Sequence, residues 1–444
     1  MSTTKKPRMS RRHFLFTMAG AAAAGVVAPG IAAPAAPKKT KILWWSHWAE
    51  EVNKRNLLID VAKAFMAKHP DVEIEQVWWD KTAMFPTMRN AFTAGSGFPD
   101  IFYFDMLGFA FIPAGWVADL SGLNWGQVEP WAREMYMWAG PGGKVGNWGV
   151  PIEVVTDEII YSKPLFAKLG IEIPKSLQFS AEDFYQVVKK IRAAGYDPFS
   201  QGVGDRDFPG TYITSWPLLA TLGEKALRDL WSGKTTWKTP EIRGVLEYAK
   251  RLIDVPCMPA TFSSMGNSER HIYFHTRQKA AMFLGTTAYA ARTFSPPEKG
   301  GQPPDFRSGF LKYPAMPNGK GNQLKLLVPN AGISVAEKSP NKQVAMDLLQ
   351  SMMTEEFGNR WLAGTAVTTG LKTDPSKIAS PFKWYLEEYA KSHQGQEYAV
   401  GLEWHAVMPP AMVDAYGQVV NAAFPARRAS IDEVIEAMER ARPH

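Results

Sequence analysis

Between Lys41 and Trp78 the chain runs apolar strand, helix, apolar strand, and an opening of this kind leaves few architectures available. Lys41–Ser46 is a short apolar run that ends in polar residues. Leu58, Val61, Ala62, Phe65 and Met66 then recur at helical spacing until Pro70, and Val72–Trp78 reads as a second strand. Strands joined through a helix pair in parallel, and a parallel pair needs helices over its faces. The class is α/β.

Helix punctuation repeats along the chain. Ser180 stands three residues before Asp183, ahead of an apolar face of Phe184, Val187, Val188 and Ile191, with Gly195 as the stop. Thr239-Pro240 and Ser339-Pro340 each place a capping residue before a proline at the first helical position, and Ala345, Leu348, Leu349 and Met352 form the apolar face after the second. Ser430 and Glu433 read as a capping box in front of Ile431, Val434, Ile435 and Met438. Gly140–Gly143 and the Pro- and Gly-rich stretch Ser295–Gly309 read as surface loops, and no fixed-period repeat is present.

Composition removes several classes. The 444 residues hold a single cysteine, Cys257, which excludes an intramolecular disulfide framework, an iron–sulfur site and a Cys-rich zinc module. With 45% apolar and 21% charged residues the chain is not a disordered one. The formal charge is +7, but Lys5, Lys6, Arg8, Arg11 and Arg12 lie in the first 36 residues, which contain no acid, so the remainder is nearly balanced and nucleic acid is not an expected partner. Those 36 residues read as an export signal: twin Arg11-Arg12, an uncharged apolar run of about 14 residues and an A-x-A-like end. The twin arginines point to the Tat route, and the run, about 21 Å as a helix, is too short to span a bilayer. No cysteine follows it to carry a lipid anchor, so the expected location is the periplasm.

Catalytic templates fail. There is no G-x-S-x-G elbow, H-E-x-x-H, Walker loop or G-x-G-x-x-G. Ser339 and Lys342 match S-x-x-K, but Ser339 reads as a helix cap; His271 and His275 share a helical spacing without a third ligand nearby and read as a solvated or core pair. Glu153, Asp157 and Glu158 lie near one another, yet acids in a loop are usually solvated. No catalytic residue, metal ligand or cofactor is expected.

Sixteen tryptophans are unusual, with Trp44, Trp45 and Trp48 in one stretch and Trp78 and Trp79 in another. A ring this large, with an N–H that wants a partner, often stays partly open. The apolar C–H face of a sugar lies flat on such a ring, and covering about 80 Å² of it contributes roughly 2 kcal/mol.

Gly97-Phe98-Pro99-Asp100-Ile101 and Ala114-Gly115-Trp116-Val117-Ala118-Asp119-Leu120 resemble segments of the extracellular solute-binding proteins of ABC importers, family 1. The resemblance continues through Trp148–Ile152, Tyr161–Phe166, Lys279–Phe283, Ala331–Val335 and the segment from Ser339 through Asn341 and Lys342, from about Lys41 to Ala441. Trp216–Ala220 and Val420–Ala423 are similar to the maltodextrin-binding branch. The resemblance implies a two-lobed Venus-flytrap fold with hinge crossings, divided as residues 37–152 plus 284–332 for the first lobe and 153–283 plus 333–444 for the second. It implies a monomeric receptor that captures a sugar, glycoside or polyol and delivers it to an inner-membrane permease. A polyamine receptor and a secreted glycoside hydrolase are the alternatives. Carried over by position, Ser46, His47, Trp48, Phe104 and Asp105 meet the ligand from the first lobe and Tyr212 and Trp216 from the second, and Glu153, Thr286, Trp361 and Trp404 complete the candidate set. Trp48 and Trp216 are expected to stack on opposite ring faces, with His47 and Asp105 binding hydroxyls. Met412, where the branch carries an aromatic, implies a small guest rather than a long oligosaccharide.

Overall fold

The computed structural model describes residues 39–203 and 209–443. The basic leader therefore lies outside the described residues. The strands are β1 (Thr40–Ser46), β2 (Val72–Trp78), β3 (Ile101–Phe104), β4 (Met137–Ala139), β5 (Val145–Asn147), β6 (Val150–Ser162), β7 (Asp197–Ser200), β8 (Ala280–Thr286), β9 (Ser308–Leu311), β10 (Leu324–Val335) and β11 (Glu397–Val400). The opening unit forms as expected: β1 and β2 pair in parallel from Thr40↔Val72 to Ser46↔Trp78 through the helix Val52–Lys68.

The main sheet runs β2-β1-β3-β10-β6-β8-β7, with β11 on β10 and β9 on β6. Its two central strands are long and antiparallel. At about 3.3 Å per residue, the 13 residues of β6 reach about 43 Å, enough to pass through two cores. They do so. Val150, Ile152 and Val154 pack in one apolar cluster with Trp44, Leu58, Phe102 and Tyr136, whereas Val155, Ile159 and Ile160 pack in another with Phe184, Trp216 and Leu246. β10 makes the return crossing, with Leu324, Leu326 and Val328 in the second cluster and Ala331, Ile333 and Val335 in the first. Its register against β6 shifts between Pro329 and Gly332, where the proline has no N–H to give to a ladder. The two clusters are the cores of the two lobes.

This packing divides the chain differently from the sequence reading. The buried apolar residues of 284–328 pack in the second lobe, not the first, with the half-buried Leu327 on the first, and those of 333–365 pack in the first, where Ala345, Leu348, Leu349, Phe357 and Trp361 cover β1 and its neighbours. Both strands are buried almost throughout on either side of the crossing, so burial does not mark the border.

Local signals fared better. Ser180, Thr239 and Ser430 each accept a backbone N–H at the start of their helices, and Ser430 and Glu433 form a complete capping box. Ser339 does not cap: its helix begins at Lys342, and its hydroxyl donates to Asp100 at 2.5 Å while accepting from the Asn341 N–H at 3.0 Å. His271 and His275 are core residues among Phe274, Phe283 and Tyr289, with burial driving both imidazoles toward the neutral form. Among the described residues, no helix is long and apolar enough to cross a membrane.

Candidate ligand site at the crossing strands

β1 ends at Ser46, and the chain turns there because the Ser46 carbonyl accepts from the Trp79 N–H and its hydroxyl accepts from the Trp48 N–H. The turn leaves His47 half-buried, its ring edge-on to Tyr103 at 4.3 Å. Tyr103 donates to Asp105 Oδ2 at 3.1 Å and lies 3.0 Å from the Asn330 carbonyl on β10. Asn330 in turn donates to Glu153 on β6 at 2.7 Å. Both crossing strands are thus tied to the end of β3 through side chains.

Lys54, from the first helix, places its ammonium 2.7 Å from Glu51 and 2.7 Å from Glu153, almost wholly out of solvent. One cation cannot neutralise two buried carboxylates equally. Burial pushes Glu51 up, but Lys54, Arg292 and His47 outweigh it and hold its pKa at about 2. Glu153 is raised, by burial and by the nearby Glu51 charge.

The second lobe contributes Asp157, of the same parity as Glu153 on β6 and about 13 Å farther along it. Asp157 pairs in register with Thr286 on β8 and accepts from the Trp216 indole N–H at 3.4 Å. Glu403 lies close enough to repel it. Burial and that neighbour push Asp157 well above the carboxylate range, and burial lifts Glu403 to about 8. His405, half-buried, meets Glu403 at 3.0 Å and stacks on Trp404, which packs on Tyr416 at 4.9 Å.

The expected tryptophan clamp is not what these contacts assemble. Trp48 is 1% exposed, with Lys54 over its ring at 5.1 Å and Tyr103 and Trp361 around it, all within the first lobe. Trp216 is 3% exposed and stacked on Tyr313 at 4.5 Å and 11° within the second. The two indoles belong to separate cores, and each has a face already taken by a neighbour. Phe104 is also interior, packed on Phe109 and Tyr136; alternation along β3 sends Tyr103 to the Asp105 side instead. Met412 is fully buried in the second core, so it does not set the length of the site. Trp361 and Trp404 are interior as well, whereas Tyr212 and Thr286 are half-buried. Sequence reasoning did not name Lys54, Tyr103, Asn330 or Glu403, and it read Glu153, Asp157 and Glu158 as solvated loop acids, whereas all three are buried on β6, Glu158 between Lys325 and His393. All four residues of β3 are apolar or aromatic and buried, so its period gave no clue to Tyr103.

Comparison with known proteins agrees with this architecture. The model for bacterial extracellular solute-binding proteins matches residues 49–358. In sequence, no curated protein matches the chain. Its fold is similar to a protein from the study of xylan utilisation by the thermophilic bacterium Caldanaerobius polysaccharolyticus (18% identity, 90% of this chain and 99% of that one, TM-score 0.75). It is also similar to the solute-binding protein RafE in complex with raffinose (17%, 91% and 100%, 0.66). A third match is the ABC substrate-binding protein Lmo0181 from Listeria monocytogenes in complex with cycloalternan (17%, 90% and 97%, 0.67). The matched segment takes in both crossing strands and the residues that tie them together, and the chain belongs to the bacterial extracellular solute-binding proteins, the receptor class of ABC importers.

Proposed function

We propose that the protein captures a sugar, glycoside or small polyol between its two lobes and delivers it, chemically unaltered, to an inner-membrane ABC permease. The observation that carries this reading is the set of buried acids at the crossing strands: Asp105 and Glu153 from one lobe, Asp157 and Glu403 from the other. A carboxylate accepts strongly from hydroxyls, and a protonated carboxyl also donates, so the set complements a guest that is both donor and acceptor at many points. Half-buried groups stand beside these acids: His405 meets Glu403, Thr286 is the strand partner of Asp157, and His47 and Tyr212 pack on Tyr103 and Trp216, which bond to Asp105 and Asp157. The relatives in complex with raffinose and cycloalternan support a carbohydrate cargo. Ligand favours closure only through contacts made to both lobes at once. Export through the twin-arginine leader and a free periplasmic monomer belong to the same proposal.

The same acids give a second reading, a receptor for polyamines, because several carboxylates in a cleft attract cations. The raised pKa of Asp157 and Glu403 favours the first: groups that hold protons near neutrality are better matched to a neutral polyhydroxylated guest. Calorimetric titration of the mature protein against a panel of sugars, glycosides, polyols and polyamines separates the two. Saturable, salt-insensitive binding of a carbohydrate or polyol is expected; binding of polyamines that weakens with salt selects the second reading, and binding of an anion or peptide alone overturns both.

A further inference from the structure

Arg292 sits in the short helix Tyr289–Thr293, whose Tyr289, Ala290 and Ala291 pack in the core of the second lobe. Its guanidinium reaches out of that lobe. Nη1 lies 3.0 Å from Glu50 Oε2 and Nε 3.7 Å from Glu51 Oε1, both on the first-lobe loop between Trp48 and the first helix. Ser268, from the second lobe, accepts from the same Nη1 and donates to the same Glu50 oxygen at 3.2 Å. Among the described residues, both ion pairs that join elements of one lobe to elements of the other end on Arg292. Behind the contact stands a continuous polar chain: Glu51 to Lys54, Lys54 to Glu153 on β6, and Glu153 to Asn330 on β10, each at 2.7 Å.

We propose that Arg292 is a latch at the rim of the cleft, which grips Glu50 and Glu51 when the lobes are together, and that Lys54 anchors the gripped loop to both crossing strands. The proposal rests on the two-lobed receptor reading but on no particular cargo. Its two parts differ in exposure. Arg292 and Glu50 are 21% and 67% exposed, so the grip is open to screening by salt, whereas Lys54 with Glu51 is not. A latch of this kind sets the balance between open and closed forms before any ligand arrives, and so tunes how much ligand energy is left for affinity.

Small-angle scattering of the mature protein without added ligand tests this directly. The compact form of a chain this long has a radius of gyration of about 22 Å. At 20 mM NaCl the wild type is expected to be compact, and at 0.5 M, where the screening length is about 4 Å, its radius is expected to rise by about 1 Å. Arg292→Gln should show the larger radius at both salts. Glu50→Gln, an exposed change without risk to folding, should shift the low-salt radius in the same direction and add nothing in the Arg292→Gln background. Identical, salt-independent radii for wild type and both variants would overturn the latch, and so would a full additional effect of Glu50→Gln without Arg292. A failure here leaves the cargo titrations untouched, and a failure to bind carbohydrate leaves these radii untouched.

Discussion

Lys54 Nζ and Glu153 Oε1 meet at 2.7 Å with 2% and 0% of their side chains exposed, joining the first helix to the strand that crosses between the lobes. A buried ion pair of this sort contributes little relative to a well-packed apolar pair, but removing one partner strands the other. Lys54→Met leaves the buried Glu153 without a cation and Glu51 with only Arg292, 3.7 Å away, and the expected loss is about 3–5 kcal/mol in urea unfolding. Adding Glu51→Gln and Glu153→Gln to the same variant should restore part of it, since no buried charge then lacks a partner.

Glu403 gives a pH dependence with a definite sign. Its folded pKa of about 8 is above the unfolded value, so the folded state holds the proton more tightly. Stability from this group is full below about pH 4.5 and falls as pH rises toward 8, by up to about 1.4 kcal/mol per unit. Thermal or urea unfolding between pH 5 and 8 should show a shallower decline in Glu403→Gln than in the wild type. Equal slopes would mean that Glu403 titrates normally.

Trp48→Ala should act first on stability. The ring is sealed among Tyr103, Trp361 and Lys54, and emptying such a site costs about 3–5 kcal/mol. An unfolding midpoint unchanged from wild type, with ligand affinity lost, would return Trp48 to the cleft.

Ser430→Ala offers a local control far from the crossing strands. The Ser430 hydroxyl accepts from the Glu433 N–H, and the Glu433 carboxylate accepts from the Ser430 N–H at 2.7 Å. Loss of the cap should lower stability by about 1 kcal/mol, read in urea, without altering ligand binding.

The element order was legible in the sequence. Apolar runs, helical spacing and capping residues are local signals, and they located the parallel pair β1–β2 and the helices opened by Ser180, Thr239 and Ser430. Ser339 misled because a serine before a proline satisfies the cap pattern whether its hydroxyl turns to the helix or, as here, to Asp100.

The site was less legible. The residues carried over by resemblance include Phe104, where Tyr103 is the one that bonds to Asp105, and take Trp48 and Trp216 as open platforms, whereas neighbours cover both rings. Periodicity reports that a residue is buried; it is silent on what lies against it.

Residues within a few positions of one another are enough to specify an α/β chain and the helix starts at Ser180, Thr239 and Ser430, and a count of one cysteine is enough to exclude a disulfide framework. Which core each half of β6 and β10 joins, that Lys54 lies between Glu51 and Glu153, and that Arg292 of the second lobe reaches Glu50 of the first emerge only from the folded arrangement. Those pairings unite segments far apart along the chain, and the free energy of burying a charge depends on the neighbour that folding brings to it.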